Sequence, residues 1–287
     1  MTDHSSEPAR SALSTFARRK FLAGAVVTLA GCSPRYTSTL DQIRSTGSLR
    51  VGMANGAPWF ELDPLTGEWK GIGVGLGKRL AQDLGVRFVP VETSWSQAVA
   101  GLQSNQYDIM PILDPTPARR KAVDFPEASL FHYAMGAIVS DERLQEWPQF
   151  NDKMMRIAVA LGTAGDGFAA SIAPKATIFR FTTIEEAISA FAARRVDAVI
   201  FYFPALVSQY SKIKQGHLVL PKPVRPVSTS AGIRRESNKA WARWLNDHFV
   251  RYEASGITSS LFLEYAEQFS RNRDDAVRLA NEMMAKS

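Results

Sequence analysis

Twice along this chain, short apolar runs alternate with segments of helical spacing, and this alternation restricts the fold more than any other feature. The first series opens with Gly47-Ser-Leu-Arg-Val-Gly52, where residues 49–51 read as a core strand bounded by glycines. Residues 71–85 then place Ile72, Leu76, Leu80 and Leu84 on one helical face, with Gly85 as the stop. Residues 87–92 read as a second strand, 97–105 as a short helix and 107–113 as a third strand. A βαβαβ series implies a parallel sheet covered by helices, because parallel neighbours need a long crossover. A second series follows: a strand at 154–161, a glycine-rich turn at 162–167 and a helix beginning at 168–172. It continues with a strand at 178–181, a helix at 184–194 and a strand at 196–202. Two such units of similar size predict two α/β lobes. The proline-rich 221–226 stretch reads as a crossover, and 238–269 as helical, rich in aromatics and without strand signals.

Residues 1–32 stand outside this pattern. Arg18-Arg19-Lys20 precedes an apolar run at 21–30, too short for a permanent membrane span but suited to the apolar part of a signal peptide. The arginine pair fits twin-arginine export, although basic residues precede almost any signal peptide. Leu29-Ala30-Gly31-Cys32 resembles the bacterial lipobox, whose cysteine becomes the lipidated first residue of the mature protein. Cys32 is the only cysteine, so no intrachain disulfide can form. The alternative is a short buried helix with an incidental cysteine. The expectation is a signal peptide with lipobox at 1–32, a linker at 33–39, and a periplasmic protein held to a membrane through Cys32. The formal charge of +6 falls to +4 without residues 1–32, and it is dispersed, a poor footprint for nucleic acid.

Chemistry concentrates in Asp114-Pro-Thr-Pro-Ala-Arg-Arg-Lys-Ala-Val-Asp-Phe125. Thr116 followed by Pro117 reads as a helix start, a hydroxyl cap and then a residue whose fixed φ suits the first helical position. Arg119 then falls in the first turn, where a guanidinium beside unpaired N–H groups can cradle a carboxylate or another small anion. The same residues also fit a surface helix with solvated arginines. The turn at 162–167 lacks the ending of a P-loop and the spacing of a dinucleotide fingerprint. His132, His217 and His248 lack metal-ligand spacing, and no serine sits in a Gly-x-Ser-x-Gly elbow. No cofactor, metal or catalytic set is expected.

The order and spacing of several pieces resemble the family 3 extracellular solute-binding proteins, receptors of polar amino-acid ABC transporters. The pieces are Leu49-Arg-Val-Gly52, Ala57-Pro-Trp-Phe60, Leu84-Gly85, Trp95, Tyr107-Asp-Ile, Thr116-Pro-Ala-Arg119 with Val123-Asp-Phe125, Gly162-Thr163 and Arg195-Val-Asp-Ala198. The resemblance implies an α/β, two-lobed periplasmic binding protein-like (type II) fold, each lobe a mostly parallel sheet flanked by helices. It assigns residues 40–134 and 228–270 to lobe I and 135–227 to lobe II, with a helical tail at 271–287. It also implies a monomer that binds a small molecule between its lobes and meets an ABC transporter permease. Arg119 falls at the family's carboxylate-gripping arginine, Trp95 at an aromatic position that stacks on the ligand, and Trp59 in the first loop near the cleft. Either tryptophan also fits core packing. Gly162 and Thr163 match a second-lobe loop that offers N–H groups at a helix start.

Two departures stand out. Asp114 occupies a position where many members carry serine or threonine touching the ligand carboxylate, and Ile112 replaces a small residue. Tyr202 stands where amino-acid receptors carry the acid that grips the α-ammonium. A carboxylate at 114 repels an incoming carboxylate or pairs with Arg119. The expected ligand is therefore not a standard α-amino acid but an aromatic or amine-bearing molecule stacked among Trp95, Trp59 and Tyr202. Thr93-Ser-Trp95 also resembles the cyclohexadienyl dehydratases, but their acidic catalytic position is Ala205 here, which argues against an enzyme. A ligand-sensing or accessory role without transport is the remaining alternative.

Overall fold

The computed structural model describes residues 36–267. The signal peptide expected at 1–32, with Cys32, and the helical tail expected at 271–287 lie outside the described residues. Ser38 opens helix α1 (Thr39–Thr46): its hydroxyl accepts from the Asp41 N–H at 3.1 Å. Strand β1 (Ser48–Ala54) follows, then a hairpin of β2 (Glu61–Leu62) and β3 (Trp69–Lys70). Helix α2 (Ile72–Leu84) buries Ile72, Leu76 and Leu80, the face that the four-residue spacing predicted, and Gly85 ends it at φ 67°. Strand β4 (Arg87–Thr93) then pairs in parallel with β1 along its full length. Helix α3 (Ala98–Gln103) leads to β5 (Met110–Leu113), and an isolated bridge from Val51 to Ile109 brings that segment beside β1. The first βαβαβ series thus folds as its periodicity implies.

Helix α4 (Pro117–Arg120) is a single turn, after which the long β6 (Phe131–Val139) crosses the molecule. The second series supplies β7 (Arg156–Ala160), α5 (Ala164–Ile172), β8 (Thr177–Phe181), α6 (Ile184–Ala192) and β9 (Ala198–Tyr202). Its three strands pair in parallel, with β7 central. Then come α7 (Phe203–Ile213), β10 (His217–Val219), β11 (Pro226–Gly232), α8 (Ala240–Ala254) and α9 (Ile257–Glu267).

The two series are joined through antiparallel strands that the sequence pattern did not reveal. The order runs β5-β11-β6-β9-β7-β8, with β10 also on β6. Residues 131–134 of β6 pair with β11, and its residues 135–139 pair with β9. Strand β11 likewise pairs with β6 through residues 226–229 and with β5 through residues 230–232. Strand β11 is thus tied to the first series through β5 and β6 to the second through β9, and the two series are linked by the pairing of β6 with β11. The C-terminal part of the chain packs back on the first series: the Trp241 indole of α8 donates to the Asp108 carbonyl at 3.1 Å, and the Thr39 N–H of α1 donates to Glu236, just before α8, at 2.8 Å.

One irregularity in β5 sets the direction of the side chains beyond it. Leu113 pairs with Ser230 and Pro111 with Ala231, leaving Ile112 as an extra residue at φ 58°. A β-branched residue at positive φ is strained, and bulges of this kind re-aim the side chains that come after them. Two residues later comes Asp114.

Candidate functional site

Asp114 lies at the end of β5, 3% exposed. Its carboxylate accepts from two phenols, the Tyr133 hydroxyl at 2.6 Å and the Tyr202 hydroxyl. Tyr133 comes from β6, and Tyr202 ends β9 in the second series. The Tyr202 oxygen also accepts from the Ala164 N–H at the start of α5, at 3.2 Å. The rings of Tyr133 and Tyr202 meet edge to face at 4.8 Å, and Phe201 packs on Tyr202 at 4.6 Å.

Arg119 is the second charged group here, 9% exposed. The Thr116 hydroxyl accepts from the Arg119 N–H at 3.3 Å, so the cap and Pro117 sit as their residue types predicted. The guanidinium does not pair with the Asp114 carboxylate. It donates instead to two main-chain carbonyls, Asp114 at 3.0 Å and Gly162 at 2.9 Å. Gly162 follows β7, so this second bond again joins the two series. Gly162 has φ 75°, and a Cβ there would lie 2.7 Å from the Ser96 Cα. The loop can approach this closely only without a side chain.

The N–H groups at the start of α5 are used within the chain. Gly162 N–H donates to Asp166 at 3.3 Å, Ala164 N–H to Tyr202, and Asp166 N–H to the capping Thr163 hydroxyl at 3.3 Å. Thr163 also donates to the Ala160 carbonyl at 2.8 Å. Helix α5 thus begins at Ala164, capped by Thr163, rather than at 168 as the glycine-rich 162–167 stretch suggested, and its first donors face the chain's own oxygens.

Burial dominates the electrostatics. It raises the Asp114 carboxyl above its ordinary 3.8, opposed by the two phenol hydrogen bonds and the positive charge of Arg119. Burial also raises Tyr133 and Tyr202 well above 10, reinforced by the negative charge of Asp114. Both phenols therefore remain donors at any physiological pH. Thr229, fully buried on β11, makes no hydrogen bond of ordinary length, yet its hydroxyl lies near enough to moderate the shifts at Asp114 and Tyr133.

The two tryptophans sit at the margins. Trp59 is 1% exposed, packed against Tyr133 at 5.5 Å, Phe131 at 6.3 Å and Phe262 at 5.8 Å. Its indole N–H is buried without a hydrogen-bond partner. Trp95 is half-buried against Phe60 at 6.0 Å, and its neighbour Ser96 abuts Gly162. The structure thus gathers Asp114, Arg119, Gly162, Thr163 and Tyr202, with Trp59 reaching the group through Tyr133. Tyr133 and Thr229 were not anticipated. The apolar run at 131–139, with Phe131, Tyr133, Ile138 and Val139, was the available signal for a strand, but nothing local indicates which residue of it faces Asp114.

Cavities of about 840 Å³ beside Arg79, His248 and Arg251 and about 400 Å³ beside Phe125 and Asn246 lie elsewhere and include neither Asp114 nor Arg119. Among the described residues, no group of three or more His, Cys, Asp or Glu side chains could hold a metal ion. No helix among them is long and apolar enough to cross a membrane. Ala205, fully buried on α7, can neither give nor take a proton.

Comparison with known proteins places this geometry in context. A probable amino-acid ABC transporter-binding protein of Haemophilus influenzae is 26% identical over 128 residues, 44% of this chain and 49% of that protein. The chain thus spans about half the length of that curated relative in the match. Among solved structures, the ancestral amino acid-binding protein AncCDT-1, described as a precursor of cyclohexadienyl dehydratase, superposes with a TM-score of 0.72 at 27% identity. The match covers 79% of this chain and 99% of that one. The cysteine-binding protein of Campylobacter jejuni shares the fold with a TM-score of 0.72 at 19% identity, over 83% and 98% of the two chains. The fold is therefore the two-lobed, type II periplasmic binding-protein architecture. A family model matches residues 49–268, about three quarters of the sequence. The chain belongs to the bacterial extracellular solute-binding proteins, family 3.

Proposed function

We propose that this protein is an exported receptor that captures a small polar or aromatic molecule between two lobes and delivers it to an ABC importer. The observation that carries this reading is the convergence of both βα series on one polar cluster. Arg119 reaches Gly162, and Tyr202 reaches Asp114, each bond running from one series to the other. A solute that bonds to groups from both series stabilises their approach, and only such differential binding shifts a two-state clamp. In this reading residues 40–134 and 228–270 form one lobe and 135–227 the other. Asp114, Arg119, Gly162, Thr163 and Tyr202 form the seat, with Trp95 and Trp59 beside it. Cys32 carries a lipid anchor in the periplasm, the receptor is a monomer, and its protein partner is the permease.

No catalytic role is assigned, because Ala205 stands where the cyclohexadienyl dehydratases carry their acidic catalytic residue and can neither give nor take a proton. The test has two parts. Mass spectrometry identifies solute that co-purifies with the natively exported protein, and calorimetry measures its affinity. Saturable binding of one solute, together with loss of its uptake when the gene is deleted, is the expected result. Absence of any saturable solute across a broad panel refutes the receptor reading, and binding without loss of uptake moves it to sensing.

A further inference from the structure

Asp114 is a buried carboxylate whose hydrogen-bonding capacity is only partly filled. An ionised carboxylate has about four acceptor sites. Here two neutral phenols donate, one to each oxygen. Arg119, the nearby cation, spends its bonds on the Asp114 and Gly162 carbonyls rather than on the carboxylate. A buried carboxylate held by neutral donors alone bears a desolvation cost that a cation in contact would offset. The walls are aromatic: Tyr133 and Tyr202 flank the carboxylate, with Phe201 and Trp59 packed behind them. Ring faces attract organic cations, so charge and walls select the same ligand chemistry.

The other half of an α-amino acid finds no complement. Its carboxylate would enter beside the carboxylate of Asp114. The arginine that would receive it is held to the Asp114 and Gly162 carbonyls at 3.0 and 2.9 Å. Like charges in a buried site cost several kcal/mol, which makes Asp114 an element that rejects as well as selects.

Resting on the receptor reading, we propose that Asp114 is the seat of a ligand ammonium and that the solute is an organic amine without a carboxylate. The ammonium donates to the carboxylate oxygen now bonded to Tyr202. Tyr133 holds the other oxygen and fixes the plane of the carboxylate. Tyr202, released from Asp114, turns its hydroxyl and ring toward the solute. Asp114 is thus the specificity-determining residue, and Tyr133 positions it.

Calorimetry with matched pairs tests this: phenethylamine against phenylalanine, and cadaverine against lysine, each amine differing from its partner by the carboxylate. The amine of at least one pair is expected to bind at least tenfold more tightly than its amino acid. Asp114→Asn, which keeps the side-chain shape and removes the charge, is expected to weaken amine binding about 100-fold. Tyr133→Phe is expected to weaken it less, with the preference for amine over amino acid retained. Tighter binding of the amino acids overturns the proposal and leaves the receptor reading intact. So does unchanged affinity in a folded Asp114→Asn variant for whatever solute binds. If neither pair binds but a co-purified solute does, the presence or absence of an amine without a carboxylate in that solute decides the proposal. Failure to bind any solute refutes the receptor reading itself.

Discussion

Tyr202→Phe removes a single oxygen and leaves the ring packed against Tyr133 and Phe201 at 4.8 and 4.6 Å, so the loss reports hydrogen bonding rather than a large cavity. That oxygen makes two bonds, one given to the Asp114 carboxylate and one accepted from the Ala164 N–H. A hydrogen bond to a buried charged group contributes about 1.5–3 kcal/mol, and a neutral one about 1 kcal/mol. The expected destabilisation is therefore about 2–4 kcal/mol. For a chain of this size that corresponds to a fall in Tm of about 5–12 °C. Urea denaturation at pH 7, followed by tryptophan fluorescence, measures it. The decisive arm is the same substitution in an Asp114→Asn background. Because most of the cost comes from stranding the carboxylate, it is expected to shrink there by at least about 1 kcal/mol. Equal costs in both backgrounds, or a Tyr202→Phe protein within about 0.5 kcal/mol of the parent, would refute this account of the cluster.

Three further outcomes are expected from the same geometry. Burial raises the folded-state pKa of Asp114 above 3.8, so the folded chain holds that proton more tightly than the unfolded one. Its stabilising contribution is complete below pH 3.8 and is lost as pH rises through the folded value. Subtracting an Asp114→Asn stability profile, measured by urea midpoints from pH 3 to 8, should isolate this decline, and a difference that rises with pH contradicts it. Gly162→Ala puts a Cβ at positive φ and 2.7 Å from the Ser96 Cα, a cost of about 2 kcal/mol or more, and calorimetric melting at an unchanged Tm would count against that contact. Arg119→Lys cannot span both carbonyls, so it is expected to lose about 1–3 kcal/mol of stability and to weaken solute binding, with full retention of both refuting a bridging role.

What the sequence disclosed and what it hid divide along the range of the interactions. The Thr116 cap, Pro117 and the Gly85 stop are decided within a few residues, and each was legible. The apolar face of α2 was legible for the same reason. Tyr133 was not, because its orientation depends on the register of β6 against β11 and β9, set by residues far away in the chain. The environment of Trp59 was hidden similarly: the ring lies against Phe262 of α9, about two hundred positions later. Residue type placed Asp114 and Arg119 near each other, and left open whether they pair. The bulge at Ile112 governs that outcome, since one extra residue reverses which face of the strand the following side chains take. No local rule puts isoleucine at positive φ.

The crossing of β6 and β11 also has a kinetic consequence. Strands β7, β8 and β9 with α5 and α6 form an uninterrupted segment, residues 156–202, whose strands pair with one another across separations of 21 to 41 residues. The other sheet is different: β5 pairs with residues 230–232, and Asp108 receives the Trp241 indole from 133 positions away. Loop-closure entropy favours the contiguous segment as the first to assemble, with the discontinuous part completed only when the residues beyond 226 arrive. Arg119 and Asp114 belong to that late part, whereas Gly162 and Tyr202 belong to the early one. By this ordering the half of the polar cluster supplied by Gly162 and Tyr202 is expected to form before the half supplied by Asp114 and Arg119, so the cluster is completed late in folding.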